Sequence, residues 1–486
     1  MDIDDLHKLK QTRRSFLGGA ARGIGSVALA SLINPSLLRG GSGAVSTVSG
    51  AGGMINPLHF APKAKRVIHL YMAGGPSHLE TLDYKPKLAE MSGKPMPESF
   101  TKGQPIAQLQ GQALKCFAPQ VEFKRFGESG QQISGLFPHI GSISDDLCII
   151  RSMVTEAINH DPAHTFMNTG TLISGRPSMG SWVWYGLGSE SQNLPGFVVL
   201  NGGLTPPGGG DNFNSGFLPA SYQGSVFRAG GQPIANIKPA DAKPALQQGK
   251  LALMRKLDRG VSQRLGAPDA VESAIANYEL AFRMQSAVPD LMELAGESEA
   301  TKKLYGLDAP DARTQIFARE CLIARRLVER GVRFVELTCP VVAGHDRWDQ
   351  HSKLRQGHEE NSRAVDQPVA GLLKDLKCRG LLESTLVVFA GEFGRTPFAQ
   401  GSDGRDHNPY GFSIWLAGGG TKGGTVYGAT DEYGYKVVEG KCAIHDLHAT
   451  MLHLLGVDHT RQTFRWGGRD MRLTDVHGEL ISSILA

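Results

Sequence analysis

Leu386-Val387-Val388-Phe389-Ala390 runs straight into Gly391-Glu392-Phe393-Gly394-Arg395. Five consecutive apolar residues, rich in branched side chains and stopped by glycine, read as a strand buried on both faces. A strand of that kind belongs to a parallel sheet covered by helices. In an open α/β sheet, ligands bind beyond the carboxyl ends of the strands. The polar residues after Ala390 therefore stand where such a fold builds its site.

Working outward, the same pattern recurs. Residues 67–72, 147–150, 197–200, 332–337 and 412–417 read as further strands. Between them lie helical stretches. Thr314 to Arg330 places Ile316, Phe317, Cys321, Leu322 and Leu327 on one face, and Ala364 to Arg379 stops at Gly380. Asp446 to Leu455 forms a further helix, ended by Gly456. Strands alternating with helices predict a doubly wound, mostly parallel sheet flanked by helices. Residues 84–130 are punctuated by Pro and Gly and read as irregular, and Leu136 to Ser144 reads as helical. A loop-rich and helical region at about 201–313 is expected to be an insertion or cap within a domain spanning 63–486.

Two runs concentrate metal-binding side chains: Gly344-His345-Asp346-Arg347-Trp348-Asp349-Gln350-His351 and Gly404-Arg405-Asp406-His407. Imidazole with carboxylate suits zinc, iron or manganese. Asp349, His351, His407 and Glu392 are candidate ligands to one or two divalent transition metal ions. His78, after the glycine turn that ends the first strand, is a fifth. His160 and His164, in Asn159-His160-Asp161-Pro162-Ala163-His164, are candidates for proton donor, acceptor or nucleophile. Arg395 suits an anionic substrate, or an ion pair with Glu392.

The formal net charge is +4, of which residues 1–45 supply +3 from six Lys/Arg against three Asp. The remainder is near neutral and carries no basic patch interleaved with aromatics, so nucleic acid is not an expected partner. The six cysteines form no C-x-x-C pair and read as core residues. Arg13-Arg14 before an Ala/Gly/Leu-rich stretch resembles a twin-arginine signal over 1–45, followed by a linker over 46–62. That resemblance implies export by the Tat translocase to the periplasm or beyond. No later stretch is apolar enough to predict a transmembrane helix in the mature chain.

Gly74-Gly75-Pro76-Ser77-His78-Leu79-Glu80-Thr81-Leu82-Asp83, Trp348-Asp349-Gln350-His351, Gly391-Glu392-Phe393-Gly394-Arg395-Thr396-Pro397 and Gly404-Arg405-Asp406-His407, with the paired arginines, resemble the DUF1501 family of exported bacterial proteins. More distantly, the layout is similar to the alkaline phosphatase and sulfatase superfamily. In that layout Asp349 and His351 follow a middle strand, Glu392-Phe393-Gly394 takes the place of an Asp-His-Gly triplet, and His407 precedes the next strand. The resemblance implies an alkaline-phosphatase-like fold and a metal-dependent hydrolase of phosphate or sulfate esters, small or on a polysaccharide. It departs at Phe393, where a ligand histidine is expected, and it lacks the sulfatase nucleophile motif. Those departures point toward a single metal, and toward the alternative of a non-catalytic metal- or glycan-binding protein on the same fold.

Overall fold

The computed structural model describes residues 52–203, 205–228, 233–234, 237, 244–265, 269–340 and 347–486. The paired arginines, the start of the linker, His345 and Asp346 lie outside the described residues.

Every strand expected from apolar runs forms, and all of them join one sheet. In spatial order its strands are Thr425–Tyr427, Leu147–Val154, Phe412–Ala417, Thr385–Ala390, Arg66–Tyr71, Phe334–Thr338, Phe197–Asn201 and Ser225–Arg228. Cys442–Ala443 also pairs with Leu147–Val154, which makes nine strands among the described residues. The pairing is parallel except around Phe412–Ala417, which runs antiparallel to both neighbours. Tyr71 lies beside both Ala390 and Thr338, so three central strands end level at one edge.

Alternation along these strands feeds two cores. Ile68, Leu70, Val335, Leu337, Val387 and Phe389 face one side, against the helices Ala312–Glu329 and Leu354–Cys378. Val67, Phe334, Leu386, Val388 and Ala390 face the other, against Met179–Leu187 and Ile444–Leu454. Covering both faces removes most of the apolar strand surface from water, at roughly 25 cal/mol per Å². The result is a mixed α/β domain with a mostly parallel sheet between helices. Among the described residues, no helix is long and apolar enough to cross a membrane.

Within 201–313, Ser225–Arg228 extends the main sheet, and Met284, Val288 and Leu291 of the helix Asp269–Met292 enter the main core. The helix Pro244–Leu265 packs on Asp269–Met292, with Gln247 bonded to Gln285 and Ser262 to Glu272.

Three local expectations are corrected. Leu136 to Ser144 gives a single helical turn, Pro138–Gly141, and then a 3-10 turn. The long helix starts at Leu354, ten residues before the first expected residue, because its opening turns bury polar side chains (His358, Asn361, Ser362) that carry no apolar period. Gly394–Gln400 and Gly404–Asn408 form an antiparallel hairpin where loops are expected. These strands are almost wholly buried, so no inside–outside alternation marks them.

Asp366 ties that long helix to its neighbour. Its carboxylate accepts the backbone N–H groups of His139 (2.9 Å) and Ile140 (2.8 Å) at the start of the Pro138–Gly141 turn. Burial outweighs these bonds and pushes its pKa up to about 7. A carboxyl raised above its unfolded value of about 3.9 contributes stability that is complete below pH ~4 and lost as pH rises through about 7. The thermal stability of the wild type is therefore expected to fall from pH 5 to 8 relative to Asp366→Asn. A midpoint difference that stays constant over that range would remove Asp366 as the cause.

Candidate metal centre

Three segments meet above the level edge of the sheet. After Val154 the chain turns into the helix His160–Thr169, with Asn159 at its N-cap and His160 as its first residue. The segment from Arg347 to His351 lies over the first strand's glycine turn. Gly74 has φ +108°, and a Cβ there would stand 2.6 Å from Trp348 N and 2.7 Å from Asp349 N, so only glycine lets the backbones touch. The hairpin Gly394–Asn408 supplies His407. Its Gly404 packs so tightly that a Cβ would meet His351 O at 1.9 Å.

These segments bring His160, Asp349, His351 and His407 together, with one potential ligand atom from each, all within 4.8 Å of one another. His160 Nε2 is 3.2 Å from Asp349 Oδ2, and His351 Nε2 is 3.0 Å from Asp349 Oδ1. His407 Nε2 is 3.5 Å from Asp349 Oδ1 and 3.0 Å from His351 Nε2. Donors around a tetrahedral ion with bonds of about 2.0–2.1 Å stand about 3.3 Å apart, so the spacing fits one small ion.

The other ring nitrogens explain the orientation. His160 Nδ1 meets Glu392 Oε1 at 2.8 Å, His407 Nδ1 meets the Ile158 carbonyl at 2.7 Å, and His351 Nδ1 meets the Gln400 side-chain oxygen. Each Nδ1 faces an acceptor, so each neutral ring carries its proton there and aims an Nε2 lone pair at the centre. Lone pairs facing each other at 3.0 Å repel unless a cation or a proton stands between them. Oxygen partners behind metal-binding histidines set the tautomer in this way.

A second group, His160, His164 and Glu392, shares His160 with the first. Here the donors converge on a carboxylate. Glu392 accepts Gly74 N–H at 3.0 and 3.2 Å and bonds His160 Nδ1, with His164 Nε2 at 3.5 Å. Burial favours its neutral form, but the charges of His164 and His160 and the bond to His160 bring its pKa down to about 2. His164 is fully buried behind it, with its Nδ1 bonded to the Tyr71 hydroxyl and its pKa lowered to about 4, mainly by burial. Burial works against His160 too, yet bonds to Asp349 and Glu392 raise it to about 9. For Asp349, His160, His351, His407 and Arg395 overcome burial and hold the carboxyl far below its usual range.

The other residues singled out in the sequence fall elsewhere. His78 is not in either group. It is buried beneath the hairpin, with Nε2 2.7 Å from the Gly434 carbonyl. Arg395 is fully buried and faces no solvent. Its guanidinium donates to the carbonyls of Gly74, Gly75 and Arg405 and pairs with Asp349 at 2.5 Å. It has no spare edge for a substrate anion, and it bonds Asp349, not Glu392. Phe393 packs 4.4 Å from the His407 ring and 4.9 Å from His160, an apolar wall at the site.

Sequence reading missed Gln400, Tyr71 and Arg347. Nothing in their spacing marks the first two. Arg347 stands within the metal-rich run, with all three guanidinium nitrogens buried and without a hydrogen-bond partner among the described residues. Its charge reaches Tyr71 and His164.

Among known families, the one described as "Protein of unknown function (DUF1501)" matches residues 64–485. No curated protein matches the chain. The lipoteichoic acid synthase LtaP from Listeria monocytogenes is similar in structure, with TM-score 0.35 and 10% identity over 87% of this chain and 78% of that one. The PsFucS1 sulfatase from Pseudoalteromonas sp. gives TM-score 0.34 and 11% identity over 89% and 72%. A TAB5 alkaline phosphatase mutant gives TM-score 0.32 and 9% identity over 82% and 99%.

Proposed function

This chain belongs to the DUF1501 family, and we propose that it is an exported metal-dependent hydrolase of phosphate or sulfate esters, with a single divalent ion held by His160, Asp349, His351 and His407. The observation that carries this reading is the convergence of three imidazole Nε2 atoms on one carboxylate, each ring anchored by an acceptor at Nδ1. Zinc, iron and manganese all suit that donor set. Such an ion supplies Lewis acidity at an ester oxygen and makes water acidic enough to attack at neutral pH.

The chain's own groups have separable tasks. Arg395 fixes the Asp349 carboxylate against the first strand's glycine turn. Glu392 fixes the His160 ring. Phe393 keeps water from one side of the site. Asp349 and Glu392 are balanced in charge by Arg395 and Arg347, so a divalent ion leaves the pocket positive and complementary to an anionic ester. His160, His351 and Asp349 are partly exposed, which gives a substrate access from one side. Buried His164 acts behind the site, in contact with Glu392 and not with substrate. The N-terminal arginine pair supports Tat-dependent export to the periplasm or beyond, where ester-bearing polysaccharides are candidate substrates.

A non-catalytic metal- or glycan-binding protein is the second reading, favoured by Phe393 at a position where the similar superfamily carries a ligand. Metal analysis followed by assays on aryl phosphates and aryl sulfates separates the two. The hydrolase reading expects turnover that stops on chelation, returns with metal, and is lost in His351→Ala. Metal-loaded protein that turns over neither ester class favours the binder. Turnover that survives in His351→Ala places the chemistry elsewhere.

A further inference from the structure

The helix Pro244–Leu265 turns leucines outward. Leu246 and Leu253 are 56% and 58% exposed, whereas Leu251 is buried. Seven residues separate the exposed pair, two turns along one face. Arg255, Lys256 and Arg259, with the small residues Ala252 and Gly260, form an open stripe along the same helix, beside that face. Lys256 and Arg259 are exposed and make no ion pair among the described residues, while Arg255 pairs with Glu279 at 2.7 Å. The sole acid in this helix, Asp258, is buried and takes the Tyr278 hydroxyl at 2.6 Å.

Polar bonds join the buried Leu251 in holding the helix in place. Gln247 bonds Gln285 at 2.6 Å, and Ser262 bonds Glu272, both on the helix Asp269–Met292. The outer face is thus basic and apolar together, with no acid on it. A basic helix with an apolar face lies in the plane of an anionic membrane surface, its apolar side chains at the headgroup–acyl boundary.

We propose that this face docks on anionic lipid headgroups, with Leu246 and Leu253 entering the boundary and Lys256 and Arg259 meeting phosphate. A soluble polyanion would use the cations and leave the leucines in water, so the leucines decide for the bilayer. The proposal is independent of the hydrolase reading.

The test is co-sedimentation of the full chain with vesicles of phosphatidylglycerol and phosphatidylcholine, against vesicles of phosphatidylcholine alone. Binding is expected only to the anionic vesicles and to weaken at about 0.5 M salt. Lys256→Ala/Arg259→Ala is expected to lower it about 30-fold, and Leu246→Ser/Leu253→Ser to lower it as well. Circular dichroism and metal content should stay unchanged in both variants. Equal binding to neutral vesicles, no binding to anionic ones, or wild-type binding by the leucine variant each overturns the proposal. The last outcome would mark a polyanion site instead.

Discussion

Asp349→Ala is expected to purify as a folded protein with almost no metal, below about 0.2 ion per chain, where the wild type holds about one. Asp349 is the one carboxylate in the four-residue group and the atom set on which all three rings converge. Its loss does more than remove one donor. Arg395 stands 2.5 Å from Oδ1. Without the carboxylate, that guanidinium remains buried at the site's floor and repels an incoming cation. A structural zinc site of four ligands is worth roughly 10–16 kcal/mol, so one ligand accounts for about 3 kcal/mol. The uncompensated buried charge of Arg395 adds to that figure. His407→Ala, which leaves Asp349 and Arg395 paired, should therefore lose less affinity than Asp349→Ala. Metal titration of both variants checks the order, and equal losses would show that Arg395 has no part in it.

The largest stability effect is expected beneath the site. Arg405 is fully buried and grips Glu80 with Nη2–Oε1 at 2.7 Å and Nε–Oε2 at 3.1 Å. It also donates to the carbonyls of Thr396 (3.0 Å), Phe117 (3.0 Å) and Ala118 (3.1 Å). Burial alone would raise the Glu80 carboxyl, but the Arg405 charge and bonds lower it. Arg405→Met strands that carboxylate in the interior at a cost of about 3–5 kcal/mol. Glu80→Gln/Arg405→Met should recover much of the loss, because the desolvated charge goes with its partner. The pair's contribution is present above Glu80's unfolded pKa, near 4.3, and falls as pH drops through the lowered folded value. Denaturant midpoints for the single and double variants decide the matter. A double variant no more stable than the single one would mean that the lost carbonyl bonds, not the stranded charge, dominate.

The sheet was legible because its strands are buried on both faces and so read as continuous apolar runs. Leu386 to Ala390 is the clearest case. The hairpin that carries Arg395 and His407 was not legible, since its interior is filled by polar side chains that satisfy one another. The metal-friendly residues Asp349, His351 and His407 stood out by type. Their partners did not, because a backbone carbonyl at Ile158 and an amide at Gln400 leave no compositional trace. His78 was misplaced for a related reason. A glycine turn at a strand end announces a site, but only the fold shows that Gly74, and not the histidine four residues on, faces it. Arg395 suited an anion by chemistry, and burial gave its donors to Gly74, Gly75 and Asp349 instead.

The strands Thr385–Ala390 and Phe412–Ala417 are neighbours in the sheet and near neighbours in the chain, with the hairpin between them. Glu392, Arg395 and His407 can thus be gathered by local pairing alone. His160 comes from 232 residues away from Glu392. During refolding the centre can close only after long-range strand pairing has brought the two halves of the chain together, and such pairing is slow. A bound Co²⁺ chromophore should consequently lag the far-ultraviolet signal, and so time the completion of the whole sheet from a single point above it.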